Sequence, residues 1–271
     1  MTEILNEEWR LSADQVINIV DDLAYLRCLV DLELIPRYPM FKGKPYPLGR
    51  CKEIRDAVFN LLQVQLSTEP TRSGIALLQE RLLKGATLAK VWGSLRDEYF
   101  QNAMVLDGWY IDVSNDTVNA NKPRVEVLPL AGSGFGAISS FEQFIQIAKG
   151  YWNVDVYRNT VCPKLAPFMP FVYVNQEGES WMGEGNDDML ALAMRTKFKA
   201  VDQVWNQLDE LPVAFYQKWI KALEPSRHID LLASSGEVLD YCRQYREQGL
   251  HDNQAFRDQV VMSYVKLPKV V

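Results

Sequence analysis

The chain has 271 residues and a net charge of -6, with 48% hydrophobic and 24% charged residues, a composition typical of globular proteins. The acidic balance argues against a nucleic acid partner, because phosphate binding needs a surface rich in Lys and Arg. No apolar run approaches the roughly 20 residues that span a bilayer, so we expect no membrane association.

The N-terminal segment is acidic where a secretory signal would be basic and then apolar, which predicts a cytoplasmic protein. Four cysteines lie far apart in the chain, a spacing typical of reduced thiols. They are Cys28, Cys51, Cys162 and Cys242. With two histidines and no closely spaced cysteines, the sequence predicts neither a metal site nor a cofactor. Nothing in the pattern indicates an oligomeric state.

Three helices are predicted in the N-terminal part. Ser12 and Gln15 have the spacing of a capping box, and they open a helix that should stop before Pro36. Residues 36–49 contain four prolines and two glycines, which predicts an ordered but irregular loop. A second helix follows from about residue 50, and a third ends at Gly85 in a C-cap position.

The second helix carries an apolar stripe with helical spacing. Its members are Cys51, Ile54, Val58, Leu61, Leu62 and Leu66. Cys51 is therefore predicted in the first turn, on the buried face of the helix.

Successive strands follow the three helices. Residues 87–95, 103–106, 109–113 and 124–130 are rich in strand-forming residues, and Asp107-Gly108 is a two-residue hairpin signal. This order predicts an α+β fold in which N-terminal helices pack on an antiparallel sheet.

The remainder of the chain is predicted to be mainly helical. A helix capped by Ser139 or Ser140 and a short hairpin precede four helical segments, of which the first covers residues 186–211. The acidic loop at residues 183–188 marks the expected boundary between an α+β domain, residues 1–182, and a helical region, residues 183–271.

The position of Cys51 allows two interpretations. Unpaired amides and the positive dipole end of a helix lower the pKa of a thiol, and Arg50 and Lys52 add positive charge. Cys51 is then a candidate nucleophile. The alternative is a buried apolar residue, since free cysteine is among the most buried residue types.

A glycine, one residue, a cysteine and an amphipathic helix, followed by a strand and the stretch DGWYIDV, resemble transglutaminase-like cysteine hydrolases, which are papain-like in layout. The resemblance covers roughly residues 45–115. It implies that Cys51 is the nucleophile and that Asp112 is the carboxylate that orients the catalytic histidine. The histidine position falls at Gln101 or Asn102, where this chain has no histidine.

Without an imidazole, no neutral group is placed to accept a proton near pH 7. Three outcomes remain: a catalytically silent pseudoenzyme, a contribution from His228 or His251 in the C-terminal helices, or a thiolate acting without a base. Carboxamides hold a substrate amide but cannot accept its proton, which favours the silent form.

Asp112 also has a structural interpretation. In an alternating strand Tyr110 and Asp112 share one face, so that the carboxylate could simply be solvated.

The resemblance implies a cysteine-dependent amide, peptide or thioester hydrolase or acyl transferase, or a catalytically degenerate form of one, with Cys51 and Asp112 in the site. Asn102 and Gln101 would then act at the oxyanion or the substrate. The alternative is a non-catalytic interaction or regulatory protein that uses the same scaffold. Either function implies a protein or peptide as substrate or partner.

Overall fold

The computed structural model describes residues 10–183 and 187–271, and the described chain divides into two compact units. One unit contains the chain up to Arg96 together with Phe100–Gly136, and the other contains Asp97–Tyr99 and Ala137–Val271. The boundary predicted between residues 182 and 183 falls inside the second unit. Part of the acidic loop that marked it, and the first nine residues of the N-terminal segment, lie outside the described residues.

The predicted α+β fold, with N-terminal helices and a helical C-terminal half, is confirmed. Apart from Tyr99, the first residue of β4, the first unit contains α1 (Ala13–Arg37), β1 (Met40–Phe41), β2 (Lys44–Pro45), α2 (Cys51–Leu66), α3 (Ser73–Leu83), β3 (Leu88–Leu95), β4 (Tyr99–Leu106), β5 (Trp109–Asp112), β6 (Glu126–Pro129) and β7 (Phe135–Gly136). The second contains α4 (Phe141–Tyr151), β8 (Val154–Arg158), β9 (Phe171–Asn175), β10 (Ser180–Met182), α5 (Asp187–Arg195), α6 (Lys199–Trp205), α7 (Val213–Ala222), α8 (Val238–Glu247) and α9 (Gln254–Val265).

Helix α1 begins as its sequence predicts. The Ser12 hydroxyl oxygen accepts a hydrogen bond from the backbone N–H of Gln15, and the backbone N–H of Ser12 donates to Oε1 of Gln15, which completes the capping box. The predicted end before Pro36 is wrong, because the helix continues through Pro36 to Arg37. The bond from the Tyr38 N–H to the Leu34 carbonyl, at 2.7 Å, closes the last turn despite the proline.

Helix α3 receives its N-terminal cap from α1. No side chain at Arg72 caps it, and the carboxylate of Asp22 instead accepts from the backbone N–H groups of Gly74 at 2.7 Å and Ile75 at 3.1 Å. A Cβ atom at Gly74 would overlap the backbone carbonyl of Asn18. Only glycine therefore allows α3 to approach α1 this closely.

The sheet of the first unit has five strands in the order β6-β5-β4-β3-β7. Strands β4 and β5 form the predicted antiparallel hairpin, with Leu106 opposite Trp109. Asp107 and Gly108 both have positive φ, as a two-residue turn of this type requires.

One face of this sheet packs against α1, α2 and α3. Met104, Leu106, Trp109, Ile111 and Val113 belong to the same buried cluster as the inner residues of the helices. Among those helix residues are Ile54, Val58 and Leu62 of the predicted α2 stripe, each fully buried.

The loop of residues 38–50 contains the short hairpin β1–β2 and lies on the N-terminal side of α2. The Gly49 N–H donates to the carbonyl of Thr117 at 3.0 Å. The guanidinium of Arg50 lies over the rings of Tyr38 and Phe41, at 4.9 and 4.7 Å from their centroids. The predicted loop is therefore ordered, with two short strands inside it.

The second unit has a three-stranded antiparallel sheet in the order β10-β9-β8, flanked in the chain by α4 and the five later helices. Ser140 caps α4 by accepting from the N–H of Gln143. The prediction of one continuous helix over residues 186–211 is wrong, because the described residues from 187 onward form two helices, α5 and α6. Lys197 and Phe198 have positive φ, which interrupts a right-handed helix and separates α5 from α6.

Candidate functional site

Cys51 is the first residue of α2, as predicted. Its side chain is half-buried, and its Sγ accepts a hydrogen bond from Nδ2 of Asn102 on β4, 3.3 Å away. The helix thus presents the sulfur to the sheet, where the contact residue is a carboxamide.

The pKa of the Cys51 thiol is raised. Burial is the main cause, and the negative charges of Asp112 and Glu53 act in the same direction, while hydrogen bonds from Asn102 act against them. Arg50 lies on its two aromatic rings and pairs with Glu53 at 2.9 Å. Of the two interpretations of Cys51, the raised pKa favours the buried residue over the activated nucleophile.

Asp112 is fully buried in β5 and accepts four hydrogen bonds. The donors are Nε2 of Gln101 at 2.6 Å, the hydroxyl of Tyr110 at 2.9 Å, and the backbone N–H and hydroxyl of Ser114 at 2.8 and 3.0 Å. Burial raises the pKa of Asp112, and these bonds oppose the shift. The interpretation of Asp112 as a solvated side chain is wrong.

The four predicted residues form two pairs on opposite faces of the sheet. Side chains alternate between the faces of a strand, and Ile111 and Val113 belong to the core beneath the helices. Asp112 and Gln101 therefore lie on the other face, whereas Asn102 reaches Cys51 on the helix side. The Gln101 Oε1 accepts from the Asn102 N–H at 3.2 Å, which joins the two pairs through the strand backbone.

Both histidines, His228 and His251, belong to the second unit. The Nε2 of His251 lies 3.1 Å from Oδ2 of Asp252. Across residues 10–183 and 187–271, no group of three or more His, Cys, Asp or Glu side chains could hold a metal ion. Within the same ranges, no helix has the length and apolar character needed to cross a membrane.

A second polar cluster in the first unit was not predicted. Arg27 of α1, completely buried, donates to Oδ1 of Asp31 at 2.6 Å and to both carboxylate oxygens of Asp116 at 2.9 and 3.1 Å. The hydroxyl of Tyr46 and a guanidinium nitrogen of Arg124 also donate to Asp31. This cluster joins α1 to the loop before α2 and to the turn after β5.

The ion pairs determine the charge state of Arg27. Burial alone lowers the pKa of Arg27, but hydrogen bonds and charges from Asp116 and Asp31 outweigh it and raise the pKa. The sequence contains a signal for this buried ion pair, because Arg27 and Asp31 are four residues apart and lie among the apolar residues of α1. Charged residues are almost never fully buried unless they are paired.

The second unit contains a cavity of about 20 Å³. Half of the residues in its wall are aromatic: Phe141, Phe144, Phe168, Phe171 and Tyr173. That volume is close to the space of a single water molecule. A space of this size is too small for a substrate.

No protein-family model, curated protein or solved structure matches this chain.

Proposed function

We propose that this protein is a non-catalytic interaction protein whose N-terminal unit is a degenerate, transglutaminase-like scaffold that binds a protein partner. The observation that supports the non-catalytic part of the proposal is the environment of Cys51. Burial raises the pKa of its thiol, and the hydrogen-bonding contact of its sulfur is the carboxamide of Asn102.

This environment keeps the sulfur protonated. The thiolate, not the thiol, is the nucleophile, and a raised pKa reduces the small thiolate fraction that an ordinary cysteine has at pH 7. A carboxamide cannot accept the proton. Cys51 therefore lacks the activation that nucleophilic catalysis requires.

The hydrogen bonds of Asp112 support the same conclusion. Its carboxylate faces away from the helices and is used by Gln101, Tyr110 and Ser114. These bonds tie β4, β5 and the turn after β5 together. A carboxylate used in this way stabilises the sheet and is turned away from the sulfur.

The alternative is cysteine-dependent acyl transfer or hydrolysis of an amide, peptide or thioester. It is favoured by the position of Cys51 at the start of α2 and by the Asn102 hydrogen bond, which acts to lower the thiol pKa. In this alternative Cys51 is the nucleophile, Asn102 and Gln101 hold the substrate, and Asp112 fixes their strand.

Alkylation separates the two functions. At pH 7 we expect iodoacetamide to modify Cys51 at least about tenfold more slowly than the exposed Cys28, because reactivity follows thiolate fraction and access. Cys162 and Cys242 provide a slow reference, since burial raises the pKa of each to about 12. Peptide mass spectrometry measures all four rates.

The variant Cys51→Ser identifies the Cys51 signal and should leave the Cys28 rate unchanged. A Cys51 rate equal to or above that of Cys28 would contradict the non-catalytic proposal and favour the enzyme.

A further inference from the structure

Two loops of the first unit contain basic residues and no acidic ones. They cover residues 36–52 and residues 117–125. Together they hold seven of the 29 bases of the chain and none of its 35 acids, so the rest of the chain has a net charge of -13. We call these seven bases the basic surface: Arg37, Lys42, Lys44, Arg50, Lys52, Lys122 and Arg124.

The fold brings the two loops together. The Gly49 N–H donates to the Thr117 carbonyl at 3.0 Å, which joins the loops directly. Asp31 of α1 joins them a second time, because it accepts from the Tyr46 hydroxyl in one loop and, at 3.2 Å, from Arg124 in the other. Two loops that are distant in the sequence therefore form one surface.

Aromatic rings hold several of these charges close to one another. The guanidinium groups of Arg37 and Arg50 lie 5.3 and 4.9 Å from the centroid of the Tyr38 ring. Arg50 also lies over the ring of Phe41, at 4.7 Å. In the hairpin β1–β2, Phe41 is opposite Lys44, and opposite residues place their side chains on the same face. The loop of residues 38–50 therefore gathers three cations around two rings.

Carboxylates neutralise part of the basic surface. Glu53 pairs with Arg50 at 2.9 Å, and Asp31 pairs with Arg124 at 3.2 Å. Three other bases of the surface are exposed and take part in neither pair. They are Arg37, Lys44 and Lys52. Since like charges at close range repel one another, an anionic partner lowers the electrostatic free energy of this surface.

We propose that the basic surface binds an acidic segment of a protein partner, in which Asp or Glu residues accompany apolar ones. The inference rests on the proposed binding function and names the chemistry of its partner. Carboxylates of the segment pair with Arg37, Lys44 and Lys52. Met40 lies on β1 in the same loop and is 53% exposed, so it offers a contact to an apolar side chain of the segment.

The charge of the rest of the chain favours a short acidic segment over a larger polyanion. A nucleic acid or an anionic bilayer extends beyond the two loops and approaches the remainder of the chain, whose net charge of -13 repels it. A peptide of about ten residues is at most about 35 Å long. It can therefore lie on the two loops without approaching the acidic remainder.

Fluorescence anisotropy with a labelled peptide tests the surface. The probe has about ten residues, in which each Leu is followed by two Glu, and a matched peptide has Gln in place of every Glu. At about 50 mM salt the full chain should bind the Glu peptide with a Kd of about 10 to 100 µM. The Gln peptide should bind at least about tenfold more weakly. Raising the salt to about 500 mM should weaken binding of the Glu peptide at least about fivefold, because ions screen exposed charges.

Charge reversal tests the location. Lys44→Glu combined with Lys52→Glu should weaken binding of the Glu peptide at least about tenfold. The matched control is Lys218→Glu combined with Lys221→Glu on α7, because these lysines are also exposed and the net charge changes by the same amount. The control should weaken binding by at most about twofold, since salt screens distant charges. Circular dichroism shows whether both variants are folded.

A Glu peptide that does not bind at up to about 1 mM protein overturns the inference, as does equal weakening by the two double variants. Tighter binding to a DNA duplex of about 20 base pairs, or to vesicles with about one third phosphatidylserine, also overturns it, because the surface then serves another class of partner. None of these results bears on the Cys51 alkylation rate, so the proposed function stands or fails separately.

Discussion

Arg27 and Asp112 are both completely buried in the first unit, but they are stabilised by different partners. Arg27 lies between the two carboxylates of Asp31 and Asp116. Asp112 receives its hydrogen bonds from neutral groups, those of Gln101, Tyr110 and Ser114. The charge of Arg27 is neutralised by opposite charges, whereas the carboxylate of Asp112 is stabilised only by hydrogen bonds from neutral groups.

The two arrangements have different consequences for protonation. Opposite charges overcome the desolvation of Arg27 and raise its pKa, so the cation stays charged. Neutral donors do not overcome the desolvation of Asp112, whose pKa is also raised, so folding favours the protonated acid. The comparison shows that hydrogen bonds alone leave a buried carboxylate sensitive to pH.

The largest effect is expected at Arg27. Replacing it by methionine leaves Asp31 and Asp116 buried without their shared cation, which should lower the free energy of unfolding by about 3 to 5 kcal/mol. Urea unfolding measures the loss. The exposed Arg37 on the same helix is the control, and Arg37→Met should cost below about 1 kcal/mol. Equal losses in the two variants would contradict the role of the buried pairs.

A pH-dependent effect is expected at Asp112. Its folded-state pKa lies above the ordinary value of 3.8, so its stabilising contribution is present below that value and is lost as pH rises through the folded pKa. The unfolding free energy of the wild type should therefore fall relative to Asp112→Asn, by about 1.4 kcal/mol per pH unit over that interval.

Urea unfolding of both proteins between about pH 4 and pH 8 measures this difference. Other titrating groups are common to the two proteins and cancel. Parallel stability curves would show that Asp112 keeps its charge in the folded state.

The smallest effect is the loss of stability on removing a tyrosine hydroxyl that donates to a buried carboxylate. Two such hydroxyls, of Tyr110 and Tyr46, can be compared. Tyr110→Phe should cost about 2 kcal/mol, because Asp112 has neutral donors and no cation beside it to replace the bond. Tyr46→Phe should cost about 1 kcal/mol, because Asp31 keeps Arg27 and Arg124. Thermal unfolding of the two variants gives the comparison, and the reverse order would contradict it.

Local signals made two helix starts and one hairpin turn predictable. Ser12, Ser140 and the pair Asp107-Gly108 act through hydrogen bonds and dihedral angles within a few residues, so the sequence contains all the information they need. The two helices α5 and α6 were not separated, because Lys197 and Phe198 are not residue types that normally adopt positive φ.

The candidate site was predictable only in part. Strand alternation correctly placed Tyr110 and Asp112 on one face, but it could not show that this face is covered. The ring of Phe135 on β7 stacks on Tyr110 at 5.1 Å, and β7 is distant in sequence. Arg27 and Asp116 are 89 residues apart, so their pairing depends on the tertiary fold.

The sequence left the direction of the Cys51 pKa shift open for a related reason. The sequence shows both the helix start, which lowers a thiol pKa, and the apolar stripe of α2, which predicts burial, but it does not show which effect is larger. Desolvation depends on the packing of α2 against the sheet, which single-sequence patterns do not specify.

The cap that Asp22 provides to α3 has a consequence for synthesis. A protein chain leaves the ribosome from its N-terminus. Asp22, whose carboxylate accepts from the first amides of α3, precedes Gly74 by 52 residues. The acceptor that caps α3 has therefore been synthesised before α3 itself leaves the ribosome.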